Sequence, residues 1–251
     1  MKSLLYALSF LTIVPFSKEI PDERSLADSS VFFPVVGAFV GLLATCVSAF
    51  IGRLFSQDVA AAFYLLSLIL VTGAFHMDGL SDTFDGLAVK GTGDVEQDRQ
   101  ARLSVMREGK QGPIGCTSIV WDLLLKYALC KELLGRGRLS PLFLAPVGSR
   151  FAMVLCCFIG RPARKEGLGV LFIGRKKKRN MLLSLLFTIG LFLLGRPCFS
   201  LSSILFLGIS FLFLMFLLVR LFESRFGGLT GDTLGAINEL SELLFLAFFL
   251  T

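Results

Sequence analysis

Residues 59–87 read VAAAFYLLSLILVTGAFHMDGLSDTFDGL. The first part, up to about residue 77, is mostly apolar and long enough to cross a membrane as a helix. The second part carries three aspartates, Asp78, Asp82 and Asp85, directly after the apolar run. This combination predicts a membrane helix that ends in an acidic site at the membrane face.

The three aspartates follow the spacing i, i+4 and i+7, which stacks them on one face of a helix. Carboxylates about 6 Å apart repel by roughly 3 kcal/mol per pair at an effective dielectric constant of ~20. A hard divalent cation relieves this repulsion, and Mg²⁺ suits the site because it takes few carboxylates and shares its other positions with water and phosphate. The alternative is a solvated acidic helix end. We favour the metal cluster because it adjoins a membrane segment and two glycines leave room for a ligand.

The composition indicates a membrane protein. Of 251 residues, 54% are hydrophobic and 26 are Phe, more apolar surface than a soluble domain can bury. We therefore predict an all-α, polytopic integral membrane helical bundle, with residues 1–251 forming a single membrane-embedded domain in contact with the lipid bilayer. The net charge of +6 reports orientation first, so no nucleic-acid partner is expected. The six cysteines form no CxxC pair, and we expect them to be buried apolar residues.

Hydropathy predicts about seven transmembrane helices and one extra helix. Residues 1–16 predict a short N-terminal helix that lies in the interface or is re-entrant. The membrane segments fall at approximately 31–52, 59–77, 113–134, 139–160, 181–197, 199–220 and 233–250. Asp122 and Lys126 lie four residues apart in the third segment and can neutralise each other.

The basic residues give the orientation. With the N-terminus inside, five Lys and Arg residues fall on the outer side, namely Arg53, Lys131, Arg136, Arg138 and Arg196. Eighteen fall on the cytosolic side, namely Lys2, Lys18, Arg24, Lys90, Arg99, Arg102, Arg107, Lys110, Arg161, Arg164, Lys165, Arg175, Lys176, Lys177, Lys178, Arg179, Arg220 and Arg225. The positive-inside rule therefore predicts that the aspartates face the cytosol. The run 175–179 is expected to contact anionic lipid.

Basic residues on two further stretches are candidates for phosphate binding. The loop before the third segment carries Arg107 and Lys110 close to Pro113, which suits the first turn of a helix. The alternative is an ordinary basic loop at the headgroups. Arg150 lies inside a membrane segment, where insertion costs about 2.5–3.5 kcal/mol, so it needs a substrate phosphate or a carboxylate as partner.

The seventh segment adds more carboxylates. Asp232, Gly235, Glu239 and Glu242 share one helical face. Carboxylates so deep in a membrane helix require a metal or a buried cation, and a channel lining is the competing explanation. We expect Asp232 at the outer part of the site and Glu239 at its floor. His76 is the only histidine, and we favour a local hydrogen bond over metal ligation for it.

The chain resembles the cobalamin synthase (adenosylcobinamide-GDP ribazoletransferase) family over most of its length. The matching parts are Phe10-Leu11-Thr12 with Pro15, Phe33-Pro34-Val35-Val36-Gly37, the run His76–Gly86, Met106-Arg107 with Gly112 and Gly115, Ser149-Arg150, and Thr230-Gly231-Asp232 with Gly235-Ala236 and Glu239. The resemblance implies a multi-pass enzyme of the cytoplasmic (inner) membrane. It would join adenosylcobinamide-GDP to α-ribazole or its 5′-phosphate, giving adenosylcobalamin or its phosphate and GMP.

The resemblance also implies roles for the candidate residues. Mg²⁺ would be bound by Asp78, Asp82, Asp85 and Asp232 and would bridge the pyrophosphate. His76, Arg107, Lys110 and Arg150 would bind substrate. The catalytic residues would be Asp82, Asp85 and Glu239, with Asp85 or Glu239 accepting the ribose hydroxyl proton. A homo-oligomer is compatible with all of this.

Two other functions stay open. A CDP-alcohol phosphotransferase-like enzyme uses similar carboxylates, but its D-x-x-D-G-x-x-A-R spacing is absent, because Thr83 follows Asp82. A cation transporter would use Glu239, Glu242 and Asp122 as a pathway. Against the transporter, the acidic residues are predicted to gather at one edge of the bilayer.

Overall fold

The computed structural model describes residues 2–195 and 201–250. Within these residues the chain forms eleven α-helices, and short 3-10 turns lie at Ser30–Phe32 and Leu168–Leu171. The helices are α1 (Lys2–Leu11), α2 (Glu23–Ser29), α3 (Phe33–Ile51), α4 (Gln57–Thr72), α5 (Phe75–Ala88), α6 (Val95–Val105), α7 (Pro113–Gly135), α8 (Ser140–Ile159), α9 (Lys178–Leu194), α10 (Leu201–Phe226) and α11 (Gly231–Phe248). The predicted all-α class is confirmed.

Four helical segments of the described chain are long and apolar enough to cross a membrane. They are Glu23–Ile51, Pro113–Gly135, Ser140–Ile159 and Ile204–Phe226. The bent pair α4 and α5 makes a fifth if the two helices are counted together. The chain is therefore a multi-pass membrane protein, but the predicted count of seven is not confirmed. Arg196, one of the five outer basic residues, and Cys198, one of the six cysteines, lie outside the described residues.

The predicted segment 59–77 is not one helix. α4 ends at Thr72, because Gly73 (φ 62°) and Ala74 (φ 58°) adopt the left-handed conformation, which cannot continue a right-handed helix. α5 then starts at Phe75 and runs at 90° to α4. The three aspartates of the motif therefore lie on a separate helix across the end of α4, and not on the end of a spanning helix as predicted.

The centre of the bundle is α8. It packs against α3 on one side and α11 on another, and α9 also contacts it. α11 contacts α5 as well, and α7 lies against α4 and α5. α10 is peripheral and exposes large apolar side chains such as Phe213 and Phe216, which suits a surface in contact with lipid. The helices that carry the acidic motifs, α5 and α11, are thus held in the interior.

α5 and α11 cross with their backbones in contact. A Cβ atom built on Gly79 would lie 2.7 Å from the carbonyl oxygen of Asp232, and one on Gly235 would lie 2.9 Å from that of His76. Only glycine allows the two backbones to approach so closely. Small residues at such crossings are what brings membrane helices close together. The crossing places the first turn of α11, with Asp232, beside the first turn of α5, with Asp78.

Two smaller predictions have mixed outcomes. The N-terminal helix exists as α1, which is ten residues long and buries Ala7 and Leu11 against its neighbours. Among the cysteines, Cys130, Cys156 and Cys157 are buried as expected. The expectation is wrong for two others, Cys46 and Cys116, which are exposed.

Candidate active site

A cavity of about 210 Å³ lies at the end of the bundle where α5 and α11 begin. Its third wall is the segment 164–170, which follows α8. The polar side chains that line it are Asp78, Arg164, Glu166, Thr230 and Asp232. The first turn of α5 has no side-chain cap, and an uncapped helix N-terminus attracts anions. The cavity therefore combines carboxylates, a guanidinium and a helix N-terminus.

Three carboxylates form what we call the open acidic cluster: Asp78, Asp82 and Asp232. Asp78 is exposed, and the other two are half-buried. Asp82 lies close enough to Asp78 and Asp232 to be repelled by both. The side chains of Asp78 and Asp82 make no hydrogen bond or ion pair with any described residue. Their oxygens are free to bind a ligand.

Arg164 supplies positive charge at this cluster. Its Nη1 atom lies 3.5 Å from a carboxylate oxygen of Asp232, and its Nη2 atom donates to the carbonyl oxygen of Leu103 at 3.1 Å. Burial lowers the pKa of the guanidinium, Arg107 lowers it further, and Asp232 opposes both. An arginine stays charged despite such a shift, and the effect of Arg107 shows that a second cation lies nearby.

In the sequence, Arg164 contributes only to the orientation signal, and it was not predicted to belong to the site. The one available signal was its position in a basic loop on the same predicted side as the aspartates. Arg107, which was predicted to bind substrate, is exposed and lies near Arg164. Lys110 is exposed in the loop between α6 and α7, where no described residue pairs with it.

Asp85 belongs to a different arrangement. Its two carboxylate oxygens accept backbone hydrogen bonds from Gly112 and Gly115, both at 2.7 Å, so it binds the N-terminus of α7. A Cβ atom on Gly115 would lie 2.2 Å from Asp85 Oδ2, which explains why glycine is needed there. Asp85 is buried, and its position joins α5 to α7.

Five charged side chains form a second group in the core, which we call the buried charge network. Its members are Asp122, Lys126, Arg150, Glu239 and Glu242, all nearly inaccessible to water. Lys126 lies 3.0 Å from Asp122 and 3.1 Å from Glu242, and it is also paired with Glu239. Arg150 pairs with Glu242. The network joins α7, α8 and α11, and each of its carboxylates meets a cation.

The network changes the environment expected for three predicted site residues. Glu239 is paired with Lys126, and Arg150 is paired with Glu242. These ion pairs hold Glu239 and Arg150 in the core. His76 is 1% exposed, and neither ring nitrogen has a hydrogen-bond partner among the described residues. The expected local hydrogen bond of His76 is absent there. The predicted pair between Asp122 and Lys126 is confirmed.

Comparison with known proteins identifies the family. The family model described as cobalamin-5-phosphate synthase matches residues 3–250. The chain belongs to the cobalamin-5-phosphate synthase family. It is 38% identical to the adenosylcobinamide-GDP ribazoletransferase of Thermodesulfovibrio yellowstonii, over 98% of this chain and 95% of that protein. It is 31% identical to the enzymes of that name from Clostridium botulinum strain Loch Maree and Thermoanaerobacter sp. strain X514, over 100% of this chain and 98% of each relative. No solved structure matches the chain.

In this member of the cobalamin-5-phosphate synthase family, the open acidic cluster does not supply a complete ligand set for a metal ion. No three His, Cys, Asp or Glu side chains of the described residues form a group that could hold a metal ion by themselves. Mg²⁺ is commonly held by one or two carboxylates, with water and substrate phosphates in the remaining positions. The unpaired carboxylate oxygens of Asp78, together with the half-buried carboxylate of Asp232, fit such a site.

Proposed function

We propose that this chain is an adenosylcobinamide-GDP ribazoletransferase that catalyses a late step of cobalamin biosynthesis. The hydroxyl oxygen of α-ribazole, or of its 5′-phosphate, attacks the phosphorus that carries the cobinamide. A new P–O bond forms, the P–O bond to the GMP phosphate breaks, and GMP leaves. The product is adenosylcobalamin or its 5′-phosphate. Membership of the family and the relatives' activity support this proposal.

The observation that carries the proposal is the meeting of Asp78, Asp232 and Arg164 in one cavity. These residues come from three distant parts of the sequence and from three different segments of the fold. A pyrophosphate requires both positive charge and oxygen ligands for its counterion, and this cavity offers both. Arg107 adds a second cation at the same end of the bundle.

Asp82 is the best candidate for the proton acceptor. Asp85 receives two backbone hydrogen bonds and Glu239 is paired with Lys126, so each already has a strong partner. Asp82 has none among the described residues, is half-buried and lies on the same face of α5 as Asp78. A free carboxylate at that position can accept the proton of the attacking hydroxyl. We assign Asp85 to positioning α7, and Glu239 and Arg150 to holding the core.

We propose Mg²⁺ as the cofactor, held by Asp78 and Asp232 together with the pyrophosphate. Bound there, it would neutralise the charge that develops on the phosphate oxygens. Arg164 and Arg107 are positively charged and would orient the same phosphates. When substrate binds, Arg164 would leave Asp232 and contact a substrate phosphate instead. The present distance of 3.5 Å between Arg164 and Asp232 makes that ion pair a weak one.

The site is proposed to face the cytosol from the cytoplasmic membrane. The support is the eighteen-to-five asymmetry of basic residues between the two predicted sides. The test uses a membrane-impermeant maleimide on intact cells, in a background with Cys46, Cys116 and Cys198 changed to Ser. Gln100→Cys, on α6, should be labelled only after lysis, whereas Arg53→Cys should be labelled directly. The reverse pattern contradicts the orientation.

The activity is tested with purified protein in lipid, supplied with adenosylcobinamide-GDP and α-ribazole. GMP release should require both substrates and should stop when EDTA removes Mg²⁺. Parallel reactions with α-ribazole 5′-phosphate decide which acceptor is preferred. Absence of GMP release from correctly inserted protein with either acceptor refutes the proposed function. Release that continues undiminished in EDTA refutes the metal.

A further inference from the structure

The cavity at the starts of α5 and α11 has a part that the proposed chemistry does not use. Beside its charged side chains it is lined by Phe75, Leu168 and Val170. Phe75 and Leu168 are 42% and 57% exposed, so apolar surface is open to a ligand beside the charged side chains. An exposed aromatic ring next to aliphatic side chains is a surface on which a flat, apolar group can stack.

A carboxylate with no partner lies at the same place. Glu166 lines the cavity and is exposed, and it makes no hydrogen bond or ion pair with any described residue. It is separated by one residue from Arg164. Two carboxylate oxygens side by side accept two parallel N–H donors. The cavity thus offers a stacking surface and a double acceptor next to a phosphate-binding arginine.

The segment that carries Glu166 is fixed in place. Ala163 donates its backbone N–H to Leu229 at 2.9 Å, and Leu229 donates to Arg161 at 2.8 Å. Farther along, a Cβ atom on Gly169 would lie 2.6 Å from the nitrogen of Gly231, so the two backbones touch. Both ends of the segment therefore lie against residues 229–231 at the start of α11, which limits where the backbone of Glu166 can lie before a ligand arrives.

We propose that this cavity binds the nucleotide half of the donor, and that Glu166 recognises its guanine base. The inference rests on the proposed function. Guanine presents N1–H and N2–H₂ as adjacent donors, which match the carboxylate, while its ring stacks between Phe75 and Leu168. A volume of about 210 Å³ is below the roughly 300–1,000 Å³ of complete ligand pockets. The corrinoid half of the donor therefore lies outside the cavity.

The test measures binding of the product nucleotides, so it does not depend on turnover. Tritiated GMP is bound to the full-length protein in nanodiscs with Mg²⁺, and GMP, IMP and XMP compete for it. IMP lacks the 2-amino group, and XMP carries an oxygen acceptor there. Wild type should bind GMP about tenfold more tightly than IMP, the value of one lost hydrogen bond to a charged group.

Substitutions of Glu166 should change this selectivity. E166A should bring the GMP-to-IMP ratio of affinities close to one. E166Q should bind XMP more tightly than both wild type and E166A do, because its amide donates to the xanthine oxygen, whereas E166A removes the charge without supplying a donor. The control is E108Q, an exposed acid that does not line the cavity, which should keep the wild-type ratio.

The outcomes separate this inference from the proposed function. A GMP-to-IMP ratio that stays at its wild-type value in E166A, in protein that still binds GMP, overturns the role of Glu166. Wild type that binds no GMP at all overturns the nucleotide site. Selective, Glu166-dependent GMP binding without GMP release from the donor would keep the guanine site and refute the transferase instead.

Discussion

Two groups of charged side chains, built from the same residue types, occupy different environments in this protein. The buried charge network sets three carboxylates against Lys126 and Arg150 in the core. The open acidic cluster sets three carboxylates against Arg164 at one end of the bundle. In the first group every carboxylate touches a cation. In the second, Asp78 and Asp82 touch none among the described residues.

The difference supports the proposed division into a structural group in the core and a functional group at the open end. Inside a membrane protein an unpaired charge is too costly to keep, so the core carboxylates occur with cations that compensate them. Where water reaches the side chains, uncompensated carboxylates cost less and stay available to a ligand. The acids of α11 illustrate both cases, since Asp232 lies at the open end and Glu239 lies in the core.

Asp82→Asn is expected to have the largest effect on activity. Removal of a general base costs typically 10²–10⁴-fold, so GMP release should fall by roughly that factor while the protein still inserts and unfolds at the same temperature. The matched control is Asp58→Asn, at the opposite end of the bundle, where Asp58 pairs with Lys131 at 2.6 Å. Near-normal turnover in correctly inserted Asp82→Asn protein would remove Asp82 from the chemistry.

A second pair of variants compares the cations of the two groups. Lys126→Met leaves buried carboxylates uncompensated and should lower the free energy of unfolding by about 3–5 kcal/mol. Arg164→Met should lower it by less than about 1 kcal/mol, because its pair with Asp232 is partly exposed, yet it should weaken donor binding. Both values come from unfolding in mixed detergent. Equal destabilisation by the two variants would contradict the proposed division of roles.

A smaller loss of stability than that of Lys126→Met is expected from Gly115→Ala. The added Cβ atom would lie 2.2 Å from Asp85 Oδ2 and 2.4 Å from Ser81 Oγ, which forces Asp85 away from the N-terminus of α7. The loss of its hydrogen bonds should cost about 1–3 kcal/mol of stability and reduce GMP release less than Asp82→Asn does. Gly190→Ala, where a Cβ atom meets nothing within 4 Å, should not destabilise the protein. Equal behaviour of the two variants would argue against the positioning role of Asp85.

Much of the fold could be predicted from hydropathy. The predicted segments 113–134 and 139–160 agree with α7 and α8 to within one residue at every end. The reason is that long apolar runs follow Pro113 and surround Pro141. The break between α4 and α5 could not be predicted, since Thr72, Gly73 and Ala74 continue the apolar run. The direction of α5 depends on two positive φ angles, which hydropathy does not contain.

The site could be predicted in part. Helical spacing placed Asp78 and Asp82 on one face of α5, and the expected approach of Asp232 to Asp78 is found, because both line one cavity. The spacing could not reveal that Asp85 binds the amides of Gly112 and Gly115, because those contacts form about thirty residues away. Arg164 was missed for the same reason, since only packing of the segment after α8 against α11 brings it to the carboxylates.

The most direct test of the division between the two groups is Mn²⁺ binding, followed by electron paramagnetic resonance in the presence of inorganic pyrophosphate. Mn²⁺ replaces Mg²⁺, and no turnover is needed. The double variant Asp78→Asn/Asp232→Asn should lose protein-bound Mn²⁺. Asp122→Asn should retain it, and should remain folded because its network holds one more carboxylate than cations. Retained Mn²⁺ in the double variant, with loss in Asp122→Asn, would contradict the account and move the metal site into the buried charge network.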